Sequence, residues 1–328
     1  MPEQPSYIGR FAPSPTGPLH LGSLSTALAG YLQARSQQGQ WLLRIDDLDT
    51  PRNAPDASDG ILATLDTYGL HWDDEADYQS RHLAEYEHLL HQLQQDGLAY
   101  PCTCTRKSLT ALHAEPAAGD VYPGLCRNQR HPATSPYSLR IKTDPRIVTF
   151  EDQLQGTISH RLAEQHGDFI IKRRDQIIAY QFAVVVDDAR QGITEVVRGF
   201  DLLQETPKQI FLQQILGFSS PGYRHVPVIV DRDGRKLSKQ TLAEAVALTE
   251  PETVLFQLLG LLRQRPPDEL RGAPPTELLD WAIGHWNPEP LRNSRTIRPE
   301  NLSNTGSPHS SSHSGHAHVG HQTLPGNP

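Results

Sequence analysis

The chain has 328 residues, 37% of them hydrophobic, and a formal net charge of -8. That length supports one large α/β unit with insertions or two modest domains, and the acidic balance excludes a protein that coats nucleic acid indiscriminately, though not a local basic groove. No apolar run approaches the roughly 20 residues of a bilayer span, and Met1-Pro2-Glu3-Gln4-Pro5 lacks a basic region followed by an apolar one, so we expect a cytoplasmic protein with no membrane association.

Tyr7-Ile8-Gly9-Arg10-Phe11 reads as a first strand, followed by a turn, Pro13-Ser14-Pro15-Thr16-Gly17-Pro18, and a helix from Leu19 to about Gln37 with Leu21, Leu24, Leu28 and Leu32 on one face. The apolar stretch Trp41–Ile45 then forms a second strand ending in Asp46-Asp47-Leu48-Asp49. This is a β-α-β unit, and ligands sit at the carboxyl ends of such strands. Helices are expected around Asp59–Tyr68 and His82–Gln95. From Pro101 to Gly167 the chain becomes rich in turns, charge and short strands such as Ser138–Lys142, as an inserted subdomain would. Helical and strand patterns resume at Gln176–Asp188 and Ile193–Arg198, with a helix near Thr206–Leu216 and a strand at Val226–Val230. Helices around Glu252–Leu262 and Pro275–Ile283 make a small end piece, and the Ser-, Gly- and His-rich tail with His309, His313, His316, His318 and His321 is expected to be disordered. These shifts divide the chain at 1–100, 101–167, 168–240, 241–298 and 299–328.

The turn before the first helix places Gly17 and Gly22 where backbone can approach a ligand closely, with His20 at the mouth. Far downstream, the hairpin-like Asp231-Arg232-Asp233-Gly234 leads into Lys236-Leu237-Ser238-Lys239, a cationic loop able to close over phosphates. Together the two stretches describe an ATP pocket. Activating a carboxylic acid with ATP needs no enzyme nucleophile, because the substrate carboxylate attacks the α-phosphorus and pyrophosphate leaves. Backbone donors, a histidine, lysines and usually Mg2+ suffice, and His20, Gly22, Ser23, Lys236 and Lys239 suit those tasks. Arg10, Asp46, Tyr180 and Arg198 fall at expected strand ends near the crevice, where an arginine can hold a carboxylate and an aspartate an ammonium, so an acidic amino acid fits as substrate.

Only three cysteines occur, Cys102, Cys104 and Cys126, a poor disulfide framework and a better metal site. Structural zinc needs a fourth ligand, which Tyr122 or His113 can supply.

Gly9–Gly17 with His20-Leu21-Gly22-Ser23 resembles the HIGH signature of glutamyl-type class I aminoacyl-tRNA synthetases, with Ser23 in place of the second histidine. Lys236-Leu237-Ser238-Lys239 resembles their KMSK signature, and Tyr180–Asp188 and Val197–Leu202 resemble the middle of the same domain. The resemblance covers Tyr7 to Lys239 and continues weakly to Ile283. It implies a class I Rossmann catalytic core with an inserted zinc-binding α+β subdomain at 101–167 and a short helical piece. Only 89 residues follow Lys239, which leaves no room for a large anticodon-binding region. That plan, with Cys102, Cys104, Tyr122 and Cys126, is similar to the glutamyl-Q tRNA(Asp) synthetase family, whose members activate glutamate without tRNA and transfer it to the queuosine base in the anticodon loop of tRNA(Asp).

Carried over, the resemblance implies glutamate contacts at Arg10, Phe11, Ala12, Pro13, Ser14, Asp46, Tyr180 and Arg198. It implies ATP contacts at Gly17, His20, Gly22, Ser23 and Lys239, catalytic roles for His20, Lys236 and Lys239, and one structural zinc on Cys102, Cys104, Tyr122 and Cys126. No obligatory protein partner is implied. One position departs: the family carries Glu where this chain has Asp46, shorter by about 1.5 Å of reach, and we expect Asp46 to receive the substrate ammonium directly or through a water. Two other readings compete. A truncated glutamyl-tRNA synthetase charging tRNA 3′ ends is disfavoured by the missing region, and a non-catalytic tRNA-binding relative by the presence of His20, Lys236 and Lys239. For RNA contact the expected basic residues are Arg106, Lys107, Arg127, Arg130, Arg140 and Lys142, then Lys172, Arg173 and Arg174.

Overall fold

The computed structural model describes residues 7–105, 107–109, 121–129, 136–231, 233–235, 246 and 248–299. The first part of the chain forms β1 (Ile8–Phe11), α1 (Leu21–Ser36), β2 (Gln40–Ile45), α2 (Ala57–Thr67), β3 (Asp73–Tyr78) and α3 (Leu83–Gln95). Next come β4 (Ala99–Cys102), β5 (Ser138–Ile141), β6 (Ile147–Asp152), β7 (Gly156–Arg161), the single turn α4 (Leu162–Gln165) and β8 (Ile170–Lys172). The chain continues through α5 (Tyr180–Arg190), β9 (Glu195–Gly199), α6 (Thr206–Leu216), β10 (Gly222–Val226), β11 (Val228–Ile229), α7 (Pro251–Leu261), α8 (Pro275–His285) and β12 (Thr296–Ile297).

Strands β1, β2 and β3 pair in parallel, with Ile8 opposite Gln40 and Phe11 opposite Leu43. A parallel pair cannot be joined by a hairpin, and α1 is the crossover between β1 and β2. Its Leu24, Leu28 and Leu32 are fully buried. Gly30 on the same helix lets the Trp41 indole come close, since a Cβ there would lie 3.2 Å from Trp41 Nε1. Trp41 in turn stacks on Phe11 and meets Tyr31 edge-on, with ring centroids 6.2 and 5.3 Å away.

The second half repeats the device: β9 and β10 run parallel with α6 between them, β6 joins β10 in parallel, and β7 folds back on β6 as a hairpin. The halves meet where the Thr194 N–H donates to the Ile8 carbonyl at 2.9 Å and the Ile8 N–H donates to Thr194 Oγ1 at 2.8 Å. A three-stranded sheet, β3-β2-β1, and a four-stranded one, β9-β10-β6-β7, therefore lie edge to edge, and the topological switch falls between β1 and β9, the place where open α/β sheets bind ligands.

Segment 101–167 contributes to two of these layers. Its β6 and β7 extend the central sheet, while β5 pairs antiparallel with β4 and β8. Two hydrophobic clusters fill the interior. One lies around α1 and includes Leu255, Leu258 and Leu278 from α7 and α8; the other surrounds α5 and takes in Tyr86, Leu139 and Phe211.

Three sequence expectations change. Val226–Val230 is not one strand: Pro227, which has no N–H to give a ladder, separates β10 from β11, and β11 pairs with β12 instead. Tyr180 is not at a strand end but is the first residue of α5. The segment Asp73–Tyr78 is a strand that the sequence reading did not anticipate. Among the described residues no helix is long and apolar enough to cross a membrane.

Candidate active site

A cleft of about 720 Å³ opens at the carboxyl ends of β1 and β9. Arg10 and Phe11 from β1, the following residues Ala12, Pro13 and Ser14, and Arg198 and Gly199 from β9 line it. Tyr180 at the start of α5, and His20, Gly22 and Ser23 at the start of α1, complete its wall. Gly17 has φ 140°, a backbone conformation that side chains resist, which is why the turn into α1 needs glycine there. At the other wall a Cβ on Gly199 would lie 2.5 Å from Asp201 Oδ1 and 3.2 Å from Val228.

His20 caps α1. Its Nδ1 accepts the N–H groups of Gly22 (3.1 Å) and Ser23 (3.3 Å), and Ser23 Oγ accepts the His20 N–H at 2.9 Å, a reciprocal capping box. Because Nδ1 is an acceptor, the proton of the neutral ring sits on Nε2. The ring and the positive end of the α1 dipole thus face the same cleft, an arrangement suited to an anionic phosphate chain.

Beneath the cleft lies a buried ion network. Arg10 donates through Nε and Nη2 to the two oxygens of Asp188, at 3.1 and 3.2 Å. Arg44, fully buried, donates from Nη1 to Asp188 (2.8 Å) and Gln191 (2.7 Å) and from Nε to Asp46 (2.9 Å). Asp187 accepts from Gln79 (2.8 Å) and from the Tyr86 hydroxyl (2.6 Å). Burial raises the Asp188 carboxyl less than Arg10 and Arg44 lower it, so it lies below the usual carboxylate range. Asp46 differs: burial pushes it up to about 6 against the pull of Arg44, and its Oδ2 is buried without a hydrogen-bond partner among the described residues. Asp46 is not part of the cleft lining. It sits just behind that wall, where the Asp46 N–H donates to the Pro13 carbonyl.

Arg198, 4% exposed, is held on the opposite wall by His225 and Thr206. Nothing in the sequence reading singled out His225, Thr206, Asp152 or Arg44. Asp187-Asp188 stood within a matched motif without a role, although an acidic pair closing the apolar run Val184-Val185-Val186 is the signal that could have exposed it.

The cysteines form a second candidate site. Cys102, Cys104 and Cys126 bring their sulfurs within 4.8 Å of one another, and the Cys104 and Cys126 sulfurs are 3.6 Å apart. Thiolates bound tetrahedrally at about 2.3 Å from zinc would be about 3.8 Å apart, so the spacing fits a metal. The Tyr122 hydroxyl is 3.3 Å from Cys102 Sγ and 3.8 Å from Cys104 Sγ, and it accepts the Cys126 N–H at 2.9 Å. Arg140 covers the Tyr122 ring, with its guanidinium carbon 3.8 Å from the centroid. Against the burial that would raise it, hydrogen bonds from the Thr103 backbone, Tyr122 and Cys104 hold the Cys126 thiol down to about 6. Lys236, Lys239 and the alternative ligand His113 lie outside the described residues, as do Arg106, Arg130 and the tail beyond residue 299. The turn feeding the lysine loop is described: the Gly234 N–H donates to the Asp231 carbonyl at 3.0 Å.

Residues 8–258 match the family described as tRNA synthetases class I (E and Q), catalytic domain. The glutamyl-Q tRNA(Asp) synthetase of Ectopseudomonas mendocina is 48% identical over 297 residues, covering 90% of this chain and 99% of that one. The chain belongs to the glutamyl-Q tRNA(Asp) synthetase family. The family member of Neisseria meningitidis is 49% identical over 284 residues, 86% of this chain and 96% of that one. Among solved structures, a glutamate tRNA ligase from Elizabethkingia meningosepticum in complex with its amino acid superposes with a TM-score of 0.74 at 26% identity, covering 89% of this chain and 67% of the ligase. A second, from Elizabethkingia anophelis, gives the same TM-score and covers 68% of that protein. Membership in the glutamyl-Q tRNA(Asp) synthetase family accounts for a cleft built from β1, α1 and β9, since all three lie inside the matched catalytic domain.

Proposed function

We propose that this chain activates glutamate with ATP as glutamyl-adenylate, without tRNA, and transfers the glutamyl group to the queuosine base of tRNA(Asp). The reading is carried by near full-length similarity, at 48% identity, to a protein named glutamyl-Q tRNA(Asp) synthetase. The cleft supports it chemically. Glutamate has two carboxylates, and the α-carboxylate must stay free to attack the α-phosphorus, so a fixed arginine serves the side-chain carboxylate. Arg198 takes that task, while Arg10, Phe11, Ala12, Pro13, Ser14 and Tyr180 frame the amino acid. Asp46, behind the cleft wall, receives the ammonium through a water that bonds its buried Oδ2.

The triphosphate lies along the α1 N-terminus, where Gly17, Gly22 and Ser23 let it approach the backbone closely and His20, which holds the Gly22 and Ser23 N–H groups on Nδ1, stands at the mouth. Lys236 and Lys239 neutralise the charge that builds on the departing pyrophosphate, and a Mg2+ bound with the ATP would add charge neutralisation there. The α-carboxylate oxygen bonds to the α-phosphorus, the α–β bridging oxygen leaves with pyrophosphate, and a hydroxyl of the queuosine cyclopentenediol then attacks the glutamyl carbonyl, expelling AMP. Cys102, Cys104, Tyr122 and Cys126 would hold one zinc, which would tie the stretch 122–126 to the end of β4 and contribute folding free energy. The segment 101–167 is the zinc-bearing insertion, 1–100 and 168–240 the two halves of the catalytic core, 241–298 the helical piece and 299–328 a tail.

Labelled glutamate offered with ATP to two tRNA pools, one with queuosine and one from cells unable to make it, tests the reading. Label should enter only the queuosine-containing pool. Equal label in both would make the protein a small 3′-end synthetase. Absence of glutamate-dependent pyrophosphate exchange, even with tRNA present, would leave only a binding relative.

A further inference from the structure

Arg198 is hydrogen-bonded along one edge and unpartnered along the other, among the described residues. Its Nε donates to His225 Nε2 at 3.0 Å and its Nη2 to Thr206 Oγ1 at 2.7 Å, which occupies the side edge of the guanidinium. Nη1 is buried and has no hydrogen-bond partner among the described residues, although Arg198 lines the cleft. The end edge, Nη1 with the second hydrogen of Nη2, is the one a carboxylate can take bidentately.

What holds the side edge is a tautomer. His225 is fully buried, and its Nδ1 lies 2.6 Å from Asp152 Oδ2. Asp152, itself 1% exposed, accepts the N–H groups of Leu154 (3.0 Å) and Gln155 (2.9 Å) on Oδ1 and that of His225 at 3.2 Å on Oδ2. Those donors keep it ionised and acceptor-only. The His225 proton therefore sits on Nδ1, and Nε2 presents a lone pair to Arg198. Burial also pushes the imidazole down to about 4, so the ring stays neutral near pH 7. The Tyr223 ring stacks on His225 at 6.2 Å and fixes its plane.

We propose that Asp152 and His225 are positioning residues that set the orientation of Arg198, and through it the affinity for the substrate's side-chain carboxylate. The inference rests on the glutamate-activating reading above. Asp152→Asn separates this role from mere packing. The amide keeps the shape of the carboxylate, yet its NH2 donates to Nδ1, moves the ring proton to Nε2 and sets that N–H against the Arg198 Nε–H.

The experiment is glutamate-dependent pyrophosphate exchange with the full chain, with KM for glutamate and for ATP measured separately, alongside thermal midpoints. Asp152→Asn should raise KM for glutamate by about ten-fold or more, the cost of misplacing a hydrogen bond to a charged group, and leave KM for ATP unchanged. His225→Leu should behave alike, whereas His225→Gln, whose amide oxygen can accept from Arg198 Nε, should restore most of the affinity. A Gln variant as impaired as Leu, or an Asn variant with wild-type KM for glutamate, would overturn the proposal. The His225 nitrogen-15 resonances, identified by their loss in His225→Gln, give a readout independent of activity. They should show the proton on Nδ1 in the wild type and on Nε2 in Asp152→Asn, and a wild-type ring protonated at Nε2 refutes the relay. A wild type whose ring is protonated at Nδ1 but which shows no exchange would instead sink the glutamate reading alone.

Discussion

At the scale of single residues, the informative group is Asp46. One oxygen accepts from Arg44 Nε, the other is buried and unpartnered, and Arg10, Asp187 and Asp188 surround the pair. A carboxyl raised by burial to about 6 from 3.8 binds its proton more tightly folded than unfolded. Its contribution to stability is therefore present below the unfolded value and lost as pH rises through about 6. Binding runs the other way, because an ammonium needs the ionised form. Glutamate affinity measured by exchange should fall as pH drops below about 6, by at most about ten-fold per unit. Asp46→Asn should weaken glutamate by about ten-fold at pH 7.5 and abolish that pH dependence. Wild-type affinity in Asp46→Asn, or an unaltered profile, would remove Asp46 from the substrate site.

At the scale of elements, the loop after β4 brings its three cysteines together. Cys102, Cys126 and Tyr122 are buried in a small cluster of their own, with Cys104 and Leu109 packed on it, separate from the two main cores. Among the described residues this cluster is small, and a metal bound by its sulfurs would cross-link the loop. Cys104→Ser should lower zinc content measured on the purified protein to well under one ion per chain and lower the thermal midpoint. A full complement of zinc in that variant would rule Cys104 out as a ligand. The same scale shows what could be read beforehand. The helix of α1, the strands β1 and β2, and the helices α7 and α8 carry clear apolar periodicity, and their limits fall within a few residues of those expected. Strand β3 was not legible, because Asp73-Asp74-Glu75-Ala76-Asp77-Tyr78 has no apolar alternation; it is an edge strand whose charges face ion-pair partners such as Arg35 and Arg190. The buried network was hidden for a related reason. Arg44 within Trp-Leu-Leu-Arg-Ile reads as a solvent-facing position, and only the approach of α5 to β2 buries it against Asp188. His225 and Asp152 lie 73 positions apart, and no local pattern announces a pair formed across a sheet.

At the scale of the whole molecule, α7 and α8 share the hydrophobic cluster of α1, and Trp286 donates to Gln33 on that helix at 2.8 Å, so the helical piece braces the element that carries His20. Charge is distributed with equal economy. A net charge of -8 leaves RNA contact to local basic groups, and four of the seven expected ones that lie among the described residues are already engaged. Arg127 binds Asp168, Arg140 is buried over Tyr122, Lys172 binds Glu87, and Arg173 binds both Asp175 and Asp49. Arg174 instead donates to the Thr103 carbonyl, at 3.4 Å, between two of the cysteines. A guanidinium bound to a neutral carbonyl keeps its charge available to a phosphate, whereas one between two carboxylates does not. Arg174→Gln should therefore weaken tRNA binding and reduce its salt dependence by about one phosphate contact. Arg173→Gln should do so far less, and both should leave tRNA-free pyrophosphate exchange intact. Equal losses of tRNA affinity in the two variants would show that the ion pairs of Arg173 open on binding, and loss of exchange in either would mean that the turn after β8 supports the catalytic core rather than the RNA.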